Sequence, residues 1–560
     1  MSMNRWTRGL GLVGLLVGLV AGVGAAAGPD EPAAARANAG WEEMGVGSAS
    51  GEGISDQSFL SRNPALAVGP GGPLVAWWDN SASDGGIYVR RWDGAAWVRL
   101  DDSTGDDDIT TTSTESFTPS IAVGPANAPI VAWEEQQVGE IYARQWNGTA
   151  WVALRGPAAD GGISANAGQS LEPQVAITPA GPIIVWQDDS QGNWEIYVRR
   201  WDGAAWVEMG SGSAGGGGIS NNSGGSAHPV VAVAPDGTPF IAWSDGSNTL
   251  YSDIFLRRWD GAAWVEVGGS ASGGGVSQNG GSWAPALDID PSGAPIVAYV
   301  RGVMNDGDIH ARRWDGAVWV DMGEGVSNND GQSWWPVLAV NQVGAPIIAW
   351  MDDSSGQFQI YVRRWDGTAW VEFDSGSATA GGISETPDYS GQPSLAIAAD
   401  GRAIVAWHRS NSEMFDDNIY VRQSPAPAMH LFFIPTILHQ PFLCFAGPDE
   451  QEDNDDQAQA NGPLCNGQSY RGRPDDNYDV FSFVMVAAGP VTIELNDFAA
   501  GGGQLGLLSA DFVPIAYDLT PGDGFRISRA NEPAGGYYIV VHTPAPDVGA
   551  GQYALRATWE

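Results

Sequence analysis

Apolar and polar residues alternate in short runs along residues 41–423, and the runs recur as a unit of four. The string IYVRRWDGAAWV stands at residues 87–98 and again, unchanged, at residues 196–207. The first run of each unit opens on a proline, at Pro64, Pro119, Pro173, Pro229, Pro285, Pro336 and Pro393. A second run such as PIVAW follows after a turn sequence like APDGT. The third is the IYVRRW string, from Ile87, Ile141, Ile196, Ile254, Ile309, Ile360 and, truncated, Ile419. Asp-Gly or Asn-Gly joins it to the fourth, AAWV, and this dipeptide is what a two-residue type I′ hairpin demands, since both positions need positive φ. Period-2 runs bounded by turn residues read as strands, and self-similarity at a fixed period reads as a repeat architecture. The fourth run ends six units, with Trp97, Trp151, Trp206, Trp264, Trp319 and Trp370, and is missing from the seventh. A copy lies at the other end, where GWEEMGVGSASGEGIS from Gly40 matches AWVEMGSGSAGGGGIS from Ala205. An N-terminal strand that completes the last sheet closes a ring and leaves no open edge. The pattern predicts an all-β chain: a seven-bladed β-propeller over 41–423 closed by an N-terminal strand, followed by a C-terminal β-sandwich.

Residues that recur in every blade belong to the frame. Trp92, Trp201 and their equivalents are expected between neighbouring sheets, and Arg90, Arg144, Arg199, Arg257, Arg312, Arg363 and Arg422 are expected to stack on blade tryptophans. Function belongs where the copies differ, on long connections held by a rigid frame. The residue before each blade proline is expected near the mouth of the central channel, and there the copies read Asn63, Thr118, Glu172, His228, Ala284, Trp335 and Gln392. Glu172 and His228, with Trp283, Trp334 and Trp335, offer a carboxylate, an imidazole and stacking surfaces, a set suited to sugar; a plug of packed side chains is the alternative. Asp79, Glu135, Asp188, Asp245 and Asp352 each follow a second-strand Trp by two residues, and Asp188, Asp245 and Asp352 are further candidates for ligand contact. As equivalents they single out no matched acid and base of the kind a glycosidase needs. Ser164, Asn166, Ser220 and Asn222 in the GISxNxGxS connections are expected to cap turns.

The unit PIVAW…IYVRRWDGAAWVEL resembles the blade of bacterial sialidase-type (BNR) propellers. Gly94 and Trp97 fit the Asp-box of that family, but Arg90 and Trp92 occupy its Ser and Asp places, so the hydrolase chemistry does not carry over. WDGAAWV also resembles the repeat of seven-bladed bacterial lectin propellers, which implies sugar binding between blades. Both resemblances cover about 380 residues. Over residues 447–560, EDNDD at Glu452, DVFSF at Asp479, AGGYYIVVHT and GQYAL resemble the bacterial pre-peptidase C-terminal domain, which implies a small sandwich of the kind that accompanies secreted enzymes and is removed after export or helps hold a substrate or surface.

Composition narrows the partners. Lys+Arg 26 against Asp+Glu 66 gives a net charge of −40, and every basic residue is Arg, so a phosphate-tracking nucleic-acid role is excluded. Arg5 and Arg8 before GLGLVGLLVGLVAGVG and AAAG read as a signal peptide over 1–27, with a linker at 28–40, which implies a secreted or cell-surface protein that is not integral to the membrane after cleavage. In that compartment Cys444 and Cys465 are expected to form a disulfide, contributing about 3 kcal/mol by loop closure. The linker at 424–446 carries an apolar stretch broken by Pro435, too interrupted to span a bilayer. Glu452, Asp453, Asp455, Asp476 and Asp479 are hard-oxygen candidates for Ca²⁺, without EF-hand spacing; no other cofactor is indicated. The expected function is non-catalytic binding of a glycan or cell-surface partner through the propeller's loop face. The alternative is a sialidase-like or polysaccharide-degrading glycoside hydrolase.

Overall fold

The computed structural model describes residues 40–425 apart from 56–59, 82–84, 101–107, 111–114, 125–126, 159–160, 248–251, 303–305, 343 and 412–415, and most strands between 464 and 559. The chain divides into two compact units, the first ending at residue 426.

The first unit consists of seven four-stranded antiparallel sheets. In blade 1 the strands Ser61–Gly69, Gly72–Asp79, Gly86–Trp92 and Trp97–Val98 run in chain order from the inside outwards. The innermost strands touch in sequence from Ser61–Gly69 to Ser116–Gly124 and on round to Tyr389–Ile397, which meets Ser61–Gly69 again, so the ring is closed. Blade 7 takes Tyr389–Ile397, Ala403–Asn411 and Asp416–Gln423 from the end of the unit and Glu42–Glu43 from its start, with Glu42 opposite Gln423 and Glu43 opposite Arg422. The residues that follow repeat the connection of the other blades: Val421 N donates to Ser48 O, and Ile54 N to Ile419 O, both at 2.7 Å.

The second strands are almost wholly apolar because a neighbouring blade covers each face, leaving Trp77, Trp186, Trp243 and Trp350 fully buried. The repeated tryptophans hold blade to blade. Indole N–H groups of Trp97, Trp206, Trp264, Trp319 and Trp370 donate to the carbonyls of Met44, Leu154, Met209, Val267 and Met322 in the preceding blade, at 2.7 to 3.0 Å. The third-strand tryptophans lie over glycines of that same blade; at Gly268, φ +58°, an added Cβ would stand 2.1 Å from the Trp314 ring. The third-strand arginines correct the stacking expectation. Arg90, Arg312, Arg363 and Arg422 donate to the carbonyls of Ile54, Val276, Val326 and Ile383 at 2.6 to 2.7 Å, while the blade tryptophans pair with one another, as Trp92 does with Trp97 at 5.8 Å.

The second unit is a sandwich of two four-stranded antiparallel sheets. One contains Ser469–Gly472, Tyr553–Trp559, Gly489–Asn496 and Gly524–Glu532; the other contains Tyr478–Met485, Gly535–His542, Gln504–Ser509 and Pro514–Asp518. Ile493 and Leu555 of the first pack with Phe481, Phe483 and Ile539 of the second in one core. Asp479, expected as a Ca²⁺ ligand, is instead buried in that unit and accepts the Tyr553 hydroxyl at 2.6 Å. Glu452, Asp453, Asp455 and Asp476, both cysteines and the signal segment lie outside the described residues. Among the described residues no three His, Cys, Asp or Glu side chains gather as a metal site, and no helix is long and apolar enough to cross a membrane.

Candidate functional site: the channel mouth

The residue before each blade proline sits in the left-handed region, from Asn63 (φ +54°) through Glu172 (+53°), His228 (+54°) and Trp335 (+52°) to Gln392 (+50°). Pairing with the second strand skips at this point, between Leu171 and Gln174 or between Ala227 and Val230. A residue before proline ordinarily favours the extended region, and a left-handed non-glycine residue stores about 1–3 kcal/mol. The repeated bulge turns the pre-proline side chains onto the rim of a central cavity of about 650 Å³. Below the rim the walls are proline and aliphatic, with Leu66, Ile121, Leu287 and Leu338 among them. The hydroxyls of Ser120 and Ser394 there accept the backbone N–H of Val175 and Leu66 from neighbouring inner strands.

One side of the mouth is polar. His228 Nδ1 lies 2.8 Å from Glu172 Oε2, and each side chain keeps about a third of its surface exposed, 32% and 34%. Burial favours the neutral imidazole, but the hydrogen bond and the charge of Glu172 together outweigh it, so the ring holds its proton above the ordinary histidine range. Both bulges are pinned from the preceding blade. Glu134 Oε2 accepts the Glu172 N–H at 2.6 Å, and Gln187 Oε1 accepts the His228 N–H at 2.8 Å. Ser244 Oγ does the same for Ala284 at 3.1 Å. Burial pushes the Glu134 carboxyl above the usual carboxylate range, against the hydrogen bonds it accepts and with the charge of Glu172.

The other side is aromatic. Trp335, 37% exposed, meets His228 edge-on at 5.5 Å and Trp283 at 5.7 Å, and Trp283 meets Trp334 at 6.2 Å. Trp335 of blade 6 reaches His228 of blade 4 across Ala284, which stands between them on the rim and carries only a methyl group. The structure thus brings Glu172, His228, Trp283, Trp334 and Trp335 together in contact.

Asp188, Asp245 and Asp352 are corrected from ligand contacts to scaffold. Their relative exposures are 0%, 1% and 0%. Each takes the hydroxyl of a first-strand serine (Ser170, Ser226, Ser333) and the indole N–H of its own strand's Trp, while the second oxygen accepts the backbone N–H of Ser190, Ser247 or Ser354. Asn222 and Asn329 donate to two of these carboxylates, Asp245 and Asp352, while their Oδ1 atoms accept the N–H of Gly224 and Gly331, both at 2.8 Å, which is the turn capping expected; Ser220 and Ser277 instead receive the N–H of Ile196 and Ile254 from the third strands. Sequence reasoning missed Glu134, Gln187 and Ser244. Their signal was available: the residue after the second-strand Trp varies from blade to blade, as the mouth does.

No family model and no curated protein matches the chain. Among solved structures the propeller unit is similar to an ulvan lyase, a polysaccharide lyase, at 10% identity over 66% of this chain and 94% of that one, TM-score 0.45. It is also similar to the Penicillium chrysogenum alpha-L-arabinanase complexed with arabinobiose, at 14% identity over 56% and 93%, TM-score 0.36. The C-terminal unit is similar to the pre-peptidase C-terminal domain of Bacillus anthracis collagenase, at 22% identity over 17% of this chain and 90% of that one, TM-score 0.15. The chain is therefore similar to these proteins in its propeller and sandwich, and the reading of its site rests on its own residues.

Proposed function

We propose that this is an exported, non-catalytic glycan-binding protein whose ligand docks at the channel mouth on the propeller's loop face, with the C-terminal sandwich serving export or attachment. One observation carries the reading: an exposed Trp335, held by a strained bulge on a concave rim beside a Glu172–His228 pair. Sugars present apolar C–H faces and hydroxyl edges, and an indole face beside a carboxylate and an imidazole meets both. The recurring carboxylates Asp188, Asp245 and Asp352 are taken up by the scaffold, which leaves Glu172, paired with His228, as the exposed carboxylate of the mouth. The test is a glycan array with the full chain, run beside a panel of fluorogenic glycosides. Trp335→Ala should lose about 2 kcal/mol, roughly thirtyfold in affinity, and Glu172→Gln should also weaken binding. Turnover of any glycoside that disappears in Glu172→Gln would replace the binding reading with a polysaccharide-degrading hydrolase.

A further inference from the structure

We propose that the ligand is an extended, uncharged oligosaccharide that leaves the mouth sideways over blades 5 to 7 instead of entering the channel end-on; this rests on the glycan reading above and deepens it. From Trp335 and Trp283 the rings continue without a break: Trp334 lies 5.2 Å from Phe358, and Phe358 5.9 Å from Tyr389. Trp283, Trp334, Phe358 and Tyr389 are each partly exposed. These rings pack by one side against the cores between blades 5, 6 and 7, but the repeat itself does not call for a ring there. The place held by Trp283 and Trp334 is Arg62, Leu171, Ala227 and Gly391 in other blades, and Phe117, the remaining ring at this place, stacks on Trp78 in its own sector at 5.2 Å.

The channel itself refuses a sugar chain. Below the rim the lining is mostly proline and aliphatic, with Gln174, Ser120 and Ser394 as its polar side chains and the two serine oxygens already accepting a strand N–H, so most hydroxyls of a buried sugar chain would go unpaired at about 1–3 kcal/mol each. A polymer that touches Glu172 and His228 therefore continues along the surface, and the aromatic sector is where its C–H faces find stacking partners. Charge selects the class. Arg62 and Arg409, at the far end of the track, are bound to Asp417 and Asp388, and a body of net charge −40 repels polyanions.

Calorimetric titration of the full chain with xylo-, manno- and cello-oligosaccharides of increasing length tests this. In at least one series affinity should rise about tenfold or more from dimer to pentamer, the gain of about 1.4 kcal/mol expected from added stacking, while oligogalacturonates of equal length bind more weakly at the same salt. Phe358→Ala should remove most of the pentamer's advantage over the dimer, read as the ratio of the two affinities in that variant. The length dependence is read on the unaltered protein, so it does not hinge on that variant's folding. Affinity flat with length, with the dimer still sensitive to Trp335→Ala, would sink the sideways track and leave the glycan reading standing. No binding in any titration or on the array would sink both.

Discussion

His228 and His408 are the same side chain in opposite surroundings. His228 faces Glu172 and holds its proton above the ordinary range, whereas His408, 4% exposed in blade 7, is held by burial at about 4, with Asp417 opposing and Arg62 adding to the effect. A histidine NMR titration should give a midpoint above 6.5 for His228 that falls in Glu172→Gln, and no titration of His408 above pH 5. The consequence for stability has a definite sign. Between pH 6.5 and 4 the unfolded chain protonates at residue 408 and the folded chain does not, so acidification through this window removes up to about 3 kcal/mol. Asp288 runs the other way. Burial raises its folded pKa to about 6, so the folded state takes the proton first and gains stability as pH falls from 6. Asp288→Asn, which keeps an acceptor for the Val340 N–H, should therefore steepen the acid loss between pH 6 and 4 in denaturant titrations. An unchanged slope would contradict this assignment.

At the scale of the element, each blade is locked to the one before it through backbone carbonyls and glycines. Gly268→Ala places a methyl against the Trp314 ring at a left-handed position, so a drop of about 2 kcal/mol or more is expected, visible as a lowered melting temperature. The strands and turns were legible in the sequence because alternation, Asp-Gly pairs and repeated prolines are local signals. The mouth residues were legible for a related reason: divergence at one fixed place of a sevenfold repeat marks relaxed packing. The burial of Asp188, Asp245 and Asp352 was not legible. A carboxylate two residues after a tryptophan reads alike whether it faces water or a serine hydroxyl, and only the register of Ser170 against Asp188 decides which.

For the whole molecule, closure is the decisive feature. The strand Glu42–Glu43 and the segment to Ser55 supply blade 7 with its outer edge and its Ser48 and Ser55 bonds to Val421 and Ile419. A chain that starts after residue 55 should leave that edge open, melt at lower temperature and associate on a sizing column, since an unpaired edge templates pairing with another copy. By itself the sequence determined the number of blades, the strand order, the head-to-tail closure and the seven positions at the mouth, because a repeat states its own period and its missing piece. Only the tertiary structure decided that the pre-proline residues are left-handed, that Trp335 crosses over Ala284 to His228, and that the arginines bind carbonyls instead of rings. Those outcomes depend on which blade stands beside which, and distances across a ring are not written in any local stretch of chain.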